Sequence, residues 1–378
     1  MRSLDELRSE LNTIDAEILS LLDRRFRITD EVAVVKDEAG APLTDRKREE
    51  ELISRLKMQA KHPALKEYIE DIYGKIIELN KKARIFNRVS SVPFSRIGVI
   101  GLGFIGGSII KALKSKKNPP FIGTVKRDSA DNRYGSTHGY LDREYDSLEE
   151  IARDVELVII ATPIDAAADV AARLAEATLG CTGKKLIVID TCSIKAELTV
   201  QFQALTRDCV EFLPTHPMAG SEKTGFANAQ AMVFVQKPWI LCPHQANKPE
   251  TVSRVRELIM ALGSPVSEMP GEEHDREVAA ISHLVFLIST CLFAYCYEKK
   301  RDALAISGSG FASITRLASG SPRMHTEIVA RNADNIAVSV MEFINFVKAQ
   351  GLDRESLMPF FENAKKNRDA FFAERARL

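Results

Sequence analysis

The chain has 378 residues, and its 52 Lys and Arg residues balance 52 Asp and Glu residues to a formal net charge of zero. This balance argues against a general nucleic-acid binder or a binder of acidic membranes, although it allows a local basic pocket. The length predicts two or three domains with sizeable cores. The six cysteines form neither a C-x-x-C pair nor a metal-like cluster with histidines. The cysteines therefore predict reduced thiols and no metal site. The chain begins with a charged amphipathic segment in place of a signal peptide, which predicts a cytoplasmic protein.

A single long helix is predicted over residues 1–37. Apolar side chains recur there in alternating steps of three and four residues, at Leu4, Leu7, Leu11, Ile14, Ile18, Leu21, Ile28, Val32 and Val35. At about 1.5 Å per residue, this helix is roughly 50 Å long. Arg25 occupies the same apolar seam, where a buried charge needs an anionic partner. It could extend to solvent or pair with a Glu, or it could await an anionic ligand inside a helical bundle.

Two further helices are predicted after the long one. The first is capped by Thr44 or Asp45 and runs to about Ala60, and the second begins after His62-Pro63 and ends near Phe86. Three helices, one of them very long, cannot close a compact core alone. We therefore expect an intertwined homodimer.

Residues 4–86 resemble the all-helical chorismate mutase domain that is often fused to enzymes of aromatic amino-acid synthesis. The matching residues are Leu7-Arg8, Leu21–Arg25, Lys36, Pro42, Asp45 and Arg48-Glu49. The resemblance implies that Arg25 and Arg8, the latter reaching in from the partner subunit, bind the two carboxylates of chorismate. Lys36 would serve the enolpyruvyl side, including the ether oxygen. The ring hydroxyl region would be contacted or oriented by Asp45, Arg48 and Glu49.

The chain departs from this resemblance near the ether oxygen. The family usually has a small hydroxyl residue and, four residues later, a Gln or Glu that faces this oxygen. Asn80 and Arg84 take these positions across a one-residue gap, so Arg84 would donate to the ether oxygen unless the gap is misplaced. The rearrangement is pericyclic, so it needs a clamped conformer and stabilised charge and no proton donor. A helical dimerisation domain without activity is the alternative.

A dinucleotide-binding turn is predicted after a polar linker. Its G-x-G-x-x-G spacing is formed by Gly101, Gly103 and Gly106, with Phe104 and Ile105 between the last two. The first glycine allows the tight turn, the second lets the backbone approach a pyrophosphate, and the third permits close strand–helix packing. The alternative is an ordinary Gly-rich turn. A buried strand before the motif and a helix after it favour an α/β Rossmann domain, which we place at residues 95–270.

The cofactor preference is predicted from the end of the second strand. A Rossmann domain places an acidic residue about 20 positions after the glycines, where it binds the adenosine ribose. Here that position is Lys126, followed by Arg127 and Asp128. Two cations favour a 2′-phosphate and hence NADP. If the pair is only solvated, Asp128 takes the acidic role and the cofactor is NAD.

Further buried strands are predicted at residues 120–125, 156–161 and 185–190. Thr162 and Pro163 follow one of them, at the edge of the sheet where Rossmann ligands bind. Residues 129–150 are polar and predict a loop. His216 lies in a segment rich in Pro and Gly, predicted as a loop after a Rossmann strand, which favours a catalytic over a structural role.

Several motifs resemble prephenate dehydrogenase, the oxidoreductase of the tyrosine pathway. They are D-x-x-S-x-K from Asp190, T-H-P-M-A-G-S-E-x-x-G from Thr215, Glu273–Asp275, Ser282–Leu284 and Gly310–Arg316. Together with the N-terminal domain, residues 1–90, they match the bifunctional chorismate mutase–prephenate dehydrogenase architecture. A beta-hydroxyacid dehydrogenase would lack the H-P-M-A-G sequence, and a non-catalytic cofactor-binding protein would not need His216 with Arg316. L-arogenate is the alternative substrate.

The resemblance leads to a hypothesis for the dehydrogenase site. Neutral His216 accepts the 4-hydroxyl proton of prephenate while hydride leaves the carbon that bears this hydroxyl. Loss of the ring carboxylate as CO2 then makes the ring aromatic. Ser193 would hydrogen-bond the hydroxyl and the histidine, and Arg316 would pair with a substrate carboxylate. The pocket would also be lined by His283, Ser221 and Glu222.

Residues 271–378 are predicted to be helical and, in the family, form the substrate-binding and dimerisation domain. Helices are expected at 273–300, 311–318, 325–349 and 354–375. The uncharged run 278–297 has the length of a membrane span, but its polar residues favour a buried helix and no membrane association. His325 stands where some members carry a Trp. Since no regulatory domain is expected, any feedback by tyrosine would act at the active site or between domains.

Overall fold

The computed structural model describes residues 2–40, 45–180, 185–351 and 353–375. Pro42, Thr44 and Cys181 lie outside these residues. The chain divides into two compact units, one comprising residues 1–88 with 366–378 and the other residues 89–365. The family-based division at residues 90 and 270 is therefore not the division into these units.

The N-terminal segment of the first unit, residues 1–88, contains three helices, as predicted. They are α1 (Leu4–Glu38), α2 (Arg46–Gln59) and α3 (Pro63–Asn87). Asp45 caps α2, because its side chain accepts a hydrogen bond of 3.1 Å from the backbone N–H of Arg48. The apolar seam of α1 is left exposed, with fractional exposures of 38–64% at the nine positions identified in the sequence. A seam of this length requires a partner surface.

The second unit contains a Rossmann sheet of six parallel strands in the order β3-β2-β1-β4-β5-β6. Its strands are β1 (Arg96–Ile100), β2 (Phe121–Val125), β3 (Arg143–Tyr145), β4 (Leu157–Ile160), β5 (Leu186–Asp190) and β6 (Val210–Leu213). The helices of this domain are α4 (Phe104–Lys114), α5 (Ala130–Thr137), α6 (Leu148–Asp154), α7 (Ile164–Ala177), α8 (Ala196–Leu205) and α9 (Pro249–Ala261). Helices cover both faces of such a sheet, so its central strands are continuous apolar runs.

The prediction of a loop at residues 129–150 is wrong, because α5 and β3 lie in this segment. Ser129 caps α5 through the N–H of Asn132, and the Asn132 side chain donates to the carbonyl of Val125 and to Glu144. The helix is short and polar, and β3 is a three-residue edge strand. Neither element therefore has the apolar periodicity from which elements are predicted.

A second, three-stranded sheet consists of β7 (Thr215–Pro217), β8 (Trp239–Leu241) and β9 (Val266–Glu268). His216 pairs with Ile240 in the antiparallel β7–β8 ladder. The prediction that His216 lies on a loop is therefore wrong. A proline-flanked segment of three residues shows no strand pattern, and pairing with a segment more than twenty residues away creates the strand.

The chain from Gly271 onward is helical, as predicted. Its helices are α10 (Gly271–Val278), α11 (Leu284–Lys299), α12 (Ser309–Thr315), α13 (Pro322–Arg331), α14 (Ala333–Ala349) and α15 (Arg354–Arg375). A π-helical turn, Ala279–His283, joins α10 to α11. The helix predicted at 325–349 is two helices, because the chain leaves helical geometry at Asn332.

Among the described residues, Gly271–Lys299 is the helical run that is long and apolar enough to cross a membrane, with a mean hydropathy of 2.0 over an 18-residue window within it. A core helix of a soluble protein passes the same test. The buried side chains of His274, Asp275 and His283 hydrogen-bond to other parts of the second unit. These contacts favour a core helix.

Candidate functional site

The glycine turn between β1 and α4 is built as the spacing predicts. Gly101 has a φ of +96°, and a Cβ there would lie 2.5 Å from the carbonyl oxygen of Ala161. A Cβ on Gly106 would overlap the carbonyl oxygen of Gly101. A Cβ on Gly103 would meet nothing within 4 Å. Two glycines are thus required by close packing, and the third leaves open space in which a ligand can approach the backbone.

The N-terminus of α4 faces this turn without a side-chain cap. Phe104 is its first residue, Gly103 is its N-cap, and Ile105 and Gly106 complete the first turn. The first N–H groups of a helix lack intrahelical partners and favour an anion. At the end of β4, Thr162, which precedes Pro163, has a buried hydroxyl without a hydrogen-bond partner in the described chain. Free donors and an unpartnered hydroxyl fit a dinucleotide.

The end of β2 presents Lys126 and Arg127 to solvent. Asp128 is also exposed, and it forms an ion pair with Arg133. Neither Lys126 nor Arg127 has a salt bridge to any described residue. The two cations are therefore available to a ligand, whereas the carboxylate already has a cationic partner.

A buried polar cluster joins β5 to β7. Lys195 and Asp190 are fully buried and form an ion pair, and Lys195 Nζ donates to the carbonyl of Thr215 at 2.9 Å. The backbone N–H of Thr215 donates to Asp190 Oδ1, also at 2.9 Å, and Trp239 Nε1 donates to Thr215 Oγ1. Breaking one partner of such a buried pair is costly, so the cluster holds β7 firmly at the carboxyl end of β5.

His216, the next residue on β7, is 7% exposed. Its Nδ1 lies 2.8 Å from Nε2 of His274, and Nδ1 of His274 lies 2.7 Å from Oδ1 of Asp275. Burial, with nearby positive groups, holds the pKa of His216 well below its ordinary value of 6.5. Burial also lowers the pKa of His274, although Asp275 opposes this shift. His216 is therefore neutral at neutral pH, as the base hypothesis requires.

His283 lies in the π-helical turn and is 1% exposed. Its Nδ1 is 3.1 Å from Nδ2 of Asn332, whereas its Nε2 is buried without a partner among the described residues. Burial lowers the pKa of His283 to about 4, against an opposing effect of Asp275. Sequence reasoning assigned no role to His274, Asp275 or Asn332. The Glu273–Asp275 motif contained a signal for the first two, but nothing in the sequence linked Asn332 to them.

The remaining predicted dehydrogenase residues lie nearer the surface. Arg316 forms an ion pair of 3.1 Å with Glu222, and both side chains are largely exposed. The Ser221 hydroxyl accepts from the backbone N–H of Lys223. Ser193 is half-buried after β5, and no hydrogen bond joins it to His216 within the described chain. The structure thus brings Arg316 and Glu222 together but does not link Ser193 to the histidine.

A separate cavity of about 990 Å³ lies within the three-helix unit. Seven residues predicted for the mutase site line it: Arg25, Lys36, Asp45, Arg48, Glu49, Asn80 and Arg84. Arg8 does not line it, since its exposed side chain lies 3.8 Å from Asp5. Asn80 and Arg84 lie four residues apart on α3, and both face the cavity.

The cavity is strongly cationic and incompletely hydrogen-bonded. Asp45, Glu49 and Glu51 are outnumbered by eight cationic residues, namely Arg24, Arg25, Lys36, Lys47, Arg48, Arg55, Lys81 and Arg84. In the described chain, Arg25 Nη1 and Asn80 Oδ1 are buried without partners. Lys81, which sequence reasoning missed, pairs with Glu49 at 2.8 Å. A cationic cavity with an unpartnered guanidinium nitrogen suits a compact dianion.

Three family models match successive parts of the chain. The chorismate mutase type II model matches residues 7–84. The nucleotide-binding domain model of prephenate dehydrogenase matches residues 109–268, and the dimerization domain model matches residues 270–352.

The chain is also similar to individual proteins. The chain is 30% identical over 279 residues to a prephenate dehydrogenase of Bacillus subtilis, covering 71% of this chain and 74% of that protein. It is 22% identical to the T-protein of Haemophilus influenzae, covering 96% of this chain and 88% of that protein. A crystal structure of Aquifex aeolicus prephenate dehydrogenase with hydroxyphenyl propionate and NAD+ has a TM-score of 0.65 at 21% identity, and the match covers 75% of this chain and 99% of that one.

Proposed function

The chain belongs to the prephenate dehydrogenase family and carries a type II chorismate mutase domain ahead of it, and from this premise we propose which residues perform its two reactions. It is a bifunctional enzyme of tyrosine biosynthesis: it rearranges chorismate to prephenate and oxidatively decarboxylates prephenate to 4-hydroxyphenylpyruvate. Residues 1–90 form the mutase domain, 95–270 the Rossmann domain and 271–378 the helical substrate-binding and dimerisation domain.

The mutase reaction uses the cationic cavity as an electrostatic clamp. Arg25 binds one carboxylate of chorismate, and Arg8 of the second subunit binds the other. Lys36 and Arg84 donate to the ether oxygen, where negative charge develops as the C–O bond breaks. The ring hydroxyl region is oriented by Asp45, Arg48, Glu49 and Asn80. The unpartnered Nη1 of Arg25 and the excess of cations over acids in the cavity support this assignment.

The dehydrogenase reaction uses His216 as general base. Its Nε2 accepts the proton of the substrate 4-hydroxyl as hydride leaves the same carbon, which becomes a carbonyl carbon. The bond from the ring to the carboxylate then breaks, its electron pair enters the ring, and CO2 departs as the ring becomes aromatic. The former carbonyl oxygen, now a phenolate, takes a proton back from the His216 imidazolium and becomes the hydroxyl of 4-hydroxyphenylpyruvate. NAD(P), when bound at the glycine turn, supplies the hydride acceptor. The single observation that carries this role is the burial of neutral His216 beside the carboxyl end of β5.

Substrate anions are held at the edge of the site. We assign Arg316 to a carboxylate of prephenate, with Glu222 keeping the guanidinium in place before the substrate arrives. His283 and Ser221 line the pocket, and Ser193 hydrogen-bonds the substrate hydroxyl. Tyrosine, like prephenate, carries a carboxylate on the chain attached to its ring and an oxygen at ring position 4, so this is also where feedback inhibition would act. We place the enzyme in the cytoplasm, where its thiols stay reduced.

The substrate assignment is tested by steady-state assays with prephenate and L-arogenate under identical conditions. These substrates differ only in a keto group against an ammonium group. We expect prephenate to have the higher kcat/KM. Arg316 places a cation in the pocket, and Glu222, the acid that could attract the ammonium group of arogenate, already forms an ion pair with Arg316. A higher kcat/KM for arogenate would reassign the substrate and leave the base unchanged.

NADP is the proposed preferred cofactor, since Lys126 and Arg127 are exposed and free of salt bridges in the described chain. A charge-assisted contact to phosphate contributes roughly 1.5–3 kcal/mol, equivalent to about a 10- to 150-fold preference for NADP. Lys126→Asp with Arg127→Ala should move the preference toward NAD, chiefly through the cofactor KM. Lys117→Ala is the matched control, because Lys117 is an exposed lysine on the segment that precedes β2, away from the end of β2 and from Asp128. Equal or better efficiency of the unmodified enzyme with NAD would contradict the assignment and leave Asp128 as the ribose ligand.

A shared mutase site in a homodimer is tested by complementation. Arg8→Ala and Arg25→Ala should each be inactive as mutases. In a symmetric dimer, a mixed pair has one site with both arginines intact, so random mixing should restore about a quarter of the wild-type mutase activity. The exposed seam of α1 supplies the interface that this requires. Activity no higher than that of the separate variants would place Arg8 outside the site of its partner.

A further inference from the structure

The hydrogen bonds around His216 form a directed chain that ends on a carboxylate. Asp275 Oδ1 accepts the backbone N–H of Lys195 at 2.7 Å, and Oδ2 accepts that of Ala196 at 2.8 Å. Asp275 therefore caps α8 from a position 79 residues further along the chain. Both carboxylate oxygens of Asp275 thus act as hydrogen-bond acceptors toward backbone amides. The group that faces Asp275 Oδ1 from His274 must then be a donor.

The positions of the protons follow from this anchor. His274 Nδ1 carries a hydrogen because its partner is a carboxylate oxygen. With its pKa lowered by burial, His274 is neutral, so its Nε2 is an acceptor. His216 Nδ1, 2.8 Å away, must therefore be the donor in that contact. Since His216 is also neutral, its lone pair is on Nε2, the ring nitrogen that makes no hydrogen bond to a described residue.

A second branch starts from the backbone carbonyl of Asp275. Asn332 Nδ2 lies 2.7 Å from this carbonyl, and Asn332 Oδ1 accepts from Asn335, so the amide orientation is determined by its partners. The remaining hydrogen of Nδ2 points to Nδ1 of His283 at 3.1 Å, which makes that nitrogen an acceptor. The proton of neutral His283 is then on Nε2, the buried atom without a partner.

We propose that His274, Asp275 and Asn332 are positioning residues that set opposite tautomers on two imidazoles, giving His216 a proton acceptor at Nε2 and His283 a proton donor at Nε2. This inference rests on the proposed role of His216 as base. The substrate hydroxyl proton moves to His216 Nε2, and the imidazolium that forms is stabilised through His274 by the Asp275 carboxylate. His283 Nε2–H offers a hydrogen bond to an anionic oxygen of the substrate.

Paired substitutions at His274 separate positioning from packing. His274→Leu removes the acceptor, so His216 can place its proton on Nε2 and block the base. We expect kcat to fall on the order of 10²–10⁴-fold with the prephenate KM nearly unchanged. His274→Gln keeps an acceptor near the position of Nε2 and should restore kcat to within about 10-fold of wild type. Mutase activity gives the concentration of active enzyme, and the KM for NAD(P) serves as the folding control of the second unit in both variants.

A second measurement reports the tautomers directly. Long-range ¹H–¹⁵N spectra of protein labelled at histidine should show His216 protonated at Nδ1 and His283 at Nε2. His274→Leu should move the His216 proton to Nε2, and Asn332→Leu should release the His283 tautomer and raise the prephenate KM. His216 protonated at Nε2 in the unmodified enzyme, or an unchanged kcat in His274→Leu, would overturn the inference. If His216→Asn itself leaves the dehydrogenase active, the fault lies in the proposed function.

Discussion

Replacing His216 by Asn is expected to lower the dehydrogenase kcat by about 10²–10⁴-fold, with a modest change in the prephenate KM. Asn keeps a polar group on β7 but cannot accept the hydroxyl proton. The mutase cavity lies in the other unit and is lined by none of the dehydrogenase residues, so its activity should not change. Assays of both reactions on one preparation provide the measurement and its control.

The pH profile of the unmodified enzyme adds a second readout of the same base. Only the neutral imidazole accepts a proton, and burial holds the pKa of His216 well below 6.5. The acid limb of kcat/KM should therefore lie below pH 6.5, with activity retained as the pH rises above it. His216→Asn should lose this limb from its residual activity. Near-normal reduction of NAD(P) by the variant would rule out His216 as the base.

Replacing Arg25 by Ala is expected to lower the mutase kcat/KM by on the order of 10²–10³-fold, as for loss of one preorganised donor to the reacting system. The dehydrogenase should remain active on supplied prephenate. Arg27→Ala is the matched control, because Arg27 is an exposed arginine on the same helix that does not line the cavity. The comparison isolates the charge at the cavity from the loss of a surface cation.

The alternative for Arg25 is a structural role in the three-helix unit. In that case Arg25→Ala would lower the melting temperature, and both activities would fall together. The buried, unpartnered Nη1 predicts the opposite change in stability. Removing a buried donor that has no partner removes a desolvation cost, so the free energy of unfolding should be unchanged or slightly higher.

The elements that the sequence predicted are those with strong apolar patterns. The helix α1 and the strands β1, β4 and β5 appear where they were expected. Burial sets the composition of the three strands, whereas α1 was recognised from the regular spacing of its exposed apolar seam. The polar edge strand β3 and the three-residue strand β7 were missed. Their stability comes from pairing with neighbouring strands, which leaves no local periodicity.

The sites were predicted to a similar extent. The glycine turn and seven cavity residues were found because family motifs carry them in local sequence. Three hydrogen-bond partners of predicted site residues were missed. His274 is 58 positions from His216, Lys81 is 32 from Glu49, and Asn332 is 49 from His283. Such pairs meet only through tertiary packing. A single sequence therefore identified the residues that we assign to ligands more readily than the residues that hydrogen-bond to them.

Supplying the purified enzyme with chorismate and NADP, without other enzymes, tests the central claim most directly. Prephenate, CO2, reduced cofactor and 4-hydroxyphenylpyruvate should be measured together over time. The account predicts that prephenate appears first and that CO2, reduced cofactor and 4-hydroxyphenylpyruvate then form in equal amounts. Unchanged chorismate, or accumulating prephenate without reduction of either NADP or NAD, would contradict it.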